Sequence, residues 1–165
     1  MGTSPSKRVQ ETLQNSTEFN SACSTTFTES LSLTQHTSQG IFPYQLLSAS
    51  THLHQSLSST CHLVHKWVPS PPSHHLVDAA YHSLRRRRNY PLETLDSGQF
   101  RDFAVELFAN AVVLNARKAV LSRVPVGVVG IAGVAAVGKV GKEFVSAAVG
   151  AYALGVVTSV YISLG

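Results

Sequence analysis

Between Val124 and Gly165 the chain carries three charged residues, Lys139, Lys142 and Glu143, all within five positions. Val124 to Gly138 is a run of 15 uncharged residues, and Phe144 to Gly165 is a run of 22. A helix needs about 20 apolar residues to cross the hydrocarbon of a bilayer. The second run reaches that length; the first falls short unless it borrows Leu121 and Val140. So apolar a stretch must end in lipid or in a packed core. Seven glycines precede the last residue of the tail. Each would cost about 1 kcal/mol relative to alanine in a helix in water, whereas small residues let membrane helices approach closely. Lipid is therefore the expected environment.

Within the second run, Ala147, Ala151, Gly155 and Ser159 stand at four-residue steps and predict a small-residue seam along one side of a helix, with Ser146 and Gly150 beside it. Gly130 and Gly138 occupy matching positions in the first run, eight residues apart on one side. Tyr161 sits where an interfacial aromatic belongs. With a cytosolic N-terminus, a single span keeps Lys139 and Lys142 on the positive-inside face. A hairpin would carry them across, leaving Arg117, Lys118 and Arg123 behind. The charges favour one span, with residues 124–138 partly embedded or packed against it.

The remainder is a different material. Charged residues are 13% of the chain, about half the usual quarter, and the first 60 residues hold 23 Ser or Thr. Two cysteines, Cys23 and Cys61, are too few for a disulfide framework. Residues 1–40 contain no apolar run long enough for a secretory signal, so a cytosolic N-terminus is expected. Glu11, Glu18 and Glu29 speak against a transit peptide. The net charge is +4, and ten of the 13 Lys and Arg fall between Arg85 and Lys142. That pattern suits a solvated basic face or a membrane-facing one. Nucleic acid is not an expected partner, because the chain has no recognisable binding motif and no interleaving of aromatic with basic residues.

Periodicity predicts an all-α chain, a small helical bundle carrying the apolar tail. Residues 1–40 form a Ser/Thr-rich segment, loosely helical over 5–35, with Phe19, Cys23, Phe27 and Leu31 at four-residue steps. Residues 41–90 are an amphipathic region. One helix over 43–68 is expected, with Leu46, Leu53, Leu57, Cys61 and Val64 on a face, ended by the prolines after Val68. A shorter helix over 74–88 follows, with Leu76, Ala80 and Leu84 on one side. Residues 91–123 form an amphipathic helix that begins at an Asp96/Gln99 capping box, runs to about Ser122, and has Asp102, Glu106, Asn110 and Arg117 on its polar quarter. The two acids there are expected on the surface of the bundle. Residues 124–165 are the apolar membrane anchor.

Two features bear on membrane attachment. Met1 to Ser6 matches the acceptor pattern for N-myristoylation, with Gly2 as the acylated residue and Ser6 as the small hydroxyl position. One such chain gives only marginal binding, so the tail would be the second attachment. Arg85, Arg86, Arg87 and Arg88 end a helix, where cations suit the dipole, and would face an anionic membrane surface.

Signs of catalysis or metal binding are weak. Gly133 to Lys139 fits the phosphate-loop spacing but lacks the following Ser or Thr that holds magnesium; no cofactor is expected. All eight histidines lie between His36 and His82. His54, Cys61 and His65 share a helical face roughly, but Cys61 belongs to the apolar stripe, so no metal site is assigned. His82 with Asp78 reads as a local helix pair. No catalytic residue can be named. Arg123-Val-Pro-Val-Gly-Val-Val-Gly130 resembles a Pro-x-Gly helix start of sodium:dicarboxylate symporters over eight residues. The symporters' substrate-binding hairpins and polar motifs are absent, and no residue role is carried over.

The expectation is a non-enzymatic, membrane-anchored eukaryotic protein that scaffolds, anchors or organises membrane, partnered by a second copy or another helix. The alternatives are a soluble six-helix bundle that buries the tail and binds a protein or apolar ligand, and, more remotely, a nucleotide binder.

Overall fold

The computed structural model describes residues 4–33, 39–88, 93–138 and 142–164. Among these the fold is all-α, as periodicity predicts. The helices are α1 (Pro5–Asn15), α2 (Thr17–Ser32), α3 (Leu46–Thr60), α4 (His62–Trp67), α5 (His74–Arg88), α6 (Ser97–Gly138) and α7 (Lys142–Ile162). A 3-10 turn, Pro43–Gln45, leads into α3. The chain forms two compact units, Met1–Val113 and Leu114–Gly165, and α6 contributes to both.

The core of the first unit follows the apolar stripes. Phe19 meets Phe108 edge-on at 6.1 Å, and Phe27 meets Phe100 at 6.0 Å. Residue numbers rise along α2 as they fall along α6, so these two helices pack antiparallel. Phe19, Phe100, Phe103 and Phe108 are fully buried, as are Leu13, Leu46, Leu53, Leu57 and Leu107. Each such side chain contributes roughly 2 kcal/mol through removal from water.

Three boundaries differ from the sequence expectation. The helix expected over 5–35 is split at Ser16, whose extended backbone caps α2: its hydroxyl accepts from the Phe19 N–H at 3.2 Å. The helix expected over 43–68 is broken at Cys61, also extended. Just before that break, Ser58 donates to the Gln55 carbonyl, and Ser59 and Thr60 both donate to the Ser56 carbonyl. Hydroxyls that bond back to carbonyls in this way compete with the helix ladder. The helix expected to end near Ser122 runs on through Pro125 to Gly138. A proline forfeits one N–H and crowds the preceding turn, but residues on both sides of it remain helical, and the symporter-like Pro-x-Gly stretch therefore lies inside a helix and not at its start.

The capping box is as expected: the Gln99 N–H donates to Asp96 Oδ1 at 2.8 Å, and the Asp96 N–H donates to Gln99 Oε1 at 3.0 Å. Just before it, Ile41 and Leu95 exchange both backbone hydrogen bonds, at 2.9 and 2.8 Å. Gly40 makes this close approach possible, because a Cβ there would press into the Leu95 carbonyl.

Candidate membrane-facing surface

The second unit pairs the C-terminal part of α6 with α7. From Glu143 to Ile162 α7 offers 20 residues of mean hydropathy 1.7, with 6% of that span buried. At 1.5 Å per residue it is about 30 Å long, the thickness of a bilayer's hydrocarbon. Among the described residues it is the one helix long and apolar enough to cross a membrane by these measures. Its side chains divide into two sets. Val145, Ala148, Val149 and Val156 are half-buried and Val160 is buried, which makes a valine-rich inner face. Phe144, by contrast, is 71% exposed, Leu154 69% and Ile162 62%. On α6, Val124, Gly127, Val128 and Ile131 are half-buried, while Leu121, Val126 and Val129 stand exposed.

Among the described residues, Tyr152 of α7 contacts α6. The Tyr152 hydroxyl donates to the Arg123 carbonyl at 3.3 Å, and the Tyr152 ring lies so close to Gly127 that a Cβ there would overlap it. Because α7 follows α6 after three residues, this contact sets the helices antiparallel. The sequence holds a signal for it: a tyrosine inside an uncharged run brings a hydroxyl that needs a partner.

All four seam residues, Ala147, Ala151, Gly155 and Ser159, are exposed. At Gly155, and at neighbouring Gly150, an added Cβ would meet nothing within 4 Å. The seam lies roughly 120° around α7 from its valine-rich face at 100° per residue. It is therefore open while Tyr152 is engaged.

The arginine cluster divides. Arg87 pairs with Glu106, and Arg88 with Asp102 at 3.2 Å, both on α6. Arg85 and Arg86 are exposed. Glu106 is not the surface acid that its place on the polar quarter predicts, since its side chain is only 13% exposed. Besides Arg87 it accepts from Gln10 at 3.1 Å, Ser83 at 3.3 Å and Asn110 at 3.4 Å, joining α1, α5 and α6. Two of the four arginine charges are thus paired with acids on α6.

The remaining candidates are placed as follows. Gly2 and Lys139 lie outside the described residues; Ser6 is half-buried in the first turn of α1, which the Ser4 hydroxyl caps by accepting from the Lys7 N–H at 3.3 Å. His54 is buried with Nε2 bonded to the Val68 carbonyl at 2.7 Å, and His65 Nδ1 bonds the Ser58 carbonyl at 2.9 Å. Both nitrogens therefore act as donors within the fold. Asp78 pairs with His74, one turn before it, at 2.8 Å, in place of the His82 partner expected from spacing. Among the described residues no three His, Cys, Asp or Glu are grouped to hold a metal ion.

No family model matches the chain, and neither a curated protein nor a solved structure is significantly similar to it.

Proposed function

We propose that the chain is a membrane-attached, non-enzymatic protein in which α7 enters the bilayer and the first unit works at its cytosolic side, in an anchoring, scaffolding or membrane-organising role. The observation that carries this reading is the exposure of α7. A helix of this hydropathy with 6% of its span buried leaves far more apolar surface in water than soluble proteins tolerate. The arrangement also argues against the soluble bundle that uses the tail as its core. Arg85 and Arg86 would rest against anionic headgroups, and an acyl chain on Gly2 would hold the N-terminal end to the same surface. Two α7 helices would meet through Ala147, Ala151, Gly155 and Ser159, whose small side chains allow the backbones to approach.

Carbonate extraction of membranes from eukaryotic cells expressing the full chain tests the attachment. Retention of the wild type in the pellet, with Gly2→Ala also retained, is the expected result and makes the acyl chain secondary. Release of the wild type would overturn the reading of α7. For self-association, Ala151→Leu with Gly155→Leu should abolish cross-linked dimers; cross-linking that persists unchanged would exclude the seam.

A further inference from the structure

Tyr152 stands nine residues beyond Glu143, about 13 Å along a span of about 30 Å. It therefore marks the middle of α7. Its partners on α6 are the backbone at Arg123 and the open side of Gly127. In this antiparallel pairing Arg123 lies level with the centre of α7, and Arg117 and Lys118, further back along α6, lie level with its last turns. An arginine at the depth of a bilayer's centre is strongly disfavoured, and from that depth its side chain is too short to bring the charge to either interface. Two states consequently exclude each other: α7 held on α6 through Tyr152, or α7 across the bilayer.

We infer that the Tyr152 contact is a latch on membrane insertion. While Tyr152 rests on Gly127 and donates to Arg123, the valine-rich face of α7 stays on α6. Crossing the bilayer requires Tyr152 to leave, so that α7 enters while Arg117, Lys118 and Arg123 remain in water. Gly127 permits the latch because any side chain there collides with the ring. The inference rests on the proposed entry of α7 into the bilayer and adds the step that controls it.

The test uses the full chain with Thr158→Cys, an exposed position on α7, labelled with an environment-sensitive fluorophore; the native Cys23 and Cys61 are buried. The protein is diluted into vesicles of phosphatidylcholine and phosphatidylserine, and the blue shift is followed in time. Gly127→Leu should speed insertion roughly tenfold, and Tyr152→Phe, which removes only the hydroxyl, about threefold. Gly130→Leu adds the same hydrocarbon where nothing lies within 4 Å of the new Cβ and should leave the rate unchanged. Circular dichroism checks that helix content is kept; if Gly127→Leu loses it, the Tyr152→Phe rate decides. Equal rates for all four proteins would overturn the latch and leave the membrane reading standing, as would Gly130→Leu matching Gly127→Leu. No blue shift in any of them would overturn the membrane reading, and the latch with it.

Discussion

Cys23 is a thiol set into hydrocarbon, 3% exposed on the inner side of α2. Burial pushes its pKa from 9.0 up to about 12, and the positive charge of Arg101 offsets this only in part. The folded chain therefore keeps a proton that the unfolded chain gives up from about pH 9. Between the two values the unfolded state binds fewer protons, so stability falls as pH rises; below pH 9 the contribution is fully present. Urea midpoints measured across this range should decline less in Cys23→Ala than in the wild type. At pH 8 a thiol reagent should leave Cys23 unmodified in the folded chain and label it once urea is added. Prompt labelling of the folded chain would contradict its burial.

Among the elements, the turn before α3 and the start of α6 depend on one residue. Gly40→Ala should cost about 2 kcal/mol through overpacking, because its Cβ would press on the Leu95 carbonyl and part the Ile41–Leu95 pair. The checks are a lowered melting temperature and faster hydrogen exchange at the Ile41 and Leu95 amides. The helical stripes themselves are legible in the sequence: Phe19, Cys23 and Phe27 do line one side of α2, and Asp96 with Gln99 does open α6. The break at Cys61 is not, because Leu57, Cys61 and Val64 continue the apolar steps across it at helical spacing; the break at Ser16 falls in the six-residue step between Leu13 and Phe19, where the stripe itself is interrupted. Hydroxyl bonds from Ser58, Ser59 and Thr60 back to helix carbonyls compete with the ladder before Cys61, and periodicity does not register them. The passage of α6 through Pro125 is hidden because proline is a local signal of helix ending, whereas neighbouring helical residues decide whether it ends. Pairings far apart in sequence, such as Gln10 with Glu106, leave no local trace at all.

At the scale of the whole molecule, the division into two units predicts separability. The aromatic and aliphatic core, from Val9 to Val113, belongs to the first unit, whereas most of the exposed large apolar side chains belong to the second. A fragment of residues 1–123 should therefore be helical and soluble without detergent, should unfold cooperatively in urea, and should be released by carbonate. Aggregation of that fragment would mean that the first unit needs the second to fold. The candidate surface is legible at this scale because uncharged length is a property of the sequence alone. That Tyr152 needs a partner is legible too, but that the partner is the Arg123 carbonyl is not, since it depends on the register of two helices.

The carboxylate of Glu106 carries a historical consequence. Apolar helix faces tolerate many replacements and, by themselves, would tolerate sliding by a turn. Arg87 with Glu106 and Arg88 with Asp102 forbid that slide, because a shifted α6 would leave a mostly enclosed carboxylate facing hydrocarbon. Drift at either position should therefore be compensated at the other. If descendants of this sequence diverge, sites 87 and 106 should be replaced together, in pairs that restore a charge and its counterpart or remove both, while Leu107 and Phe108 vary within the hydrophobic residues.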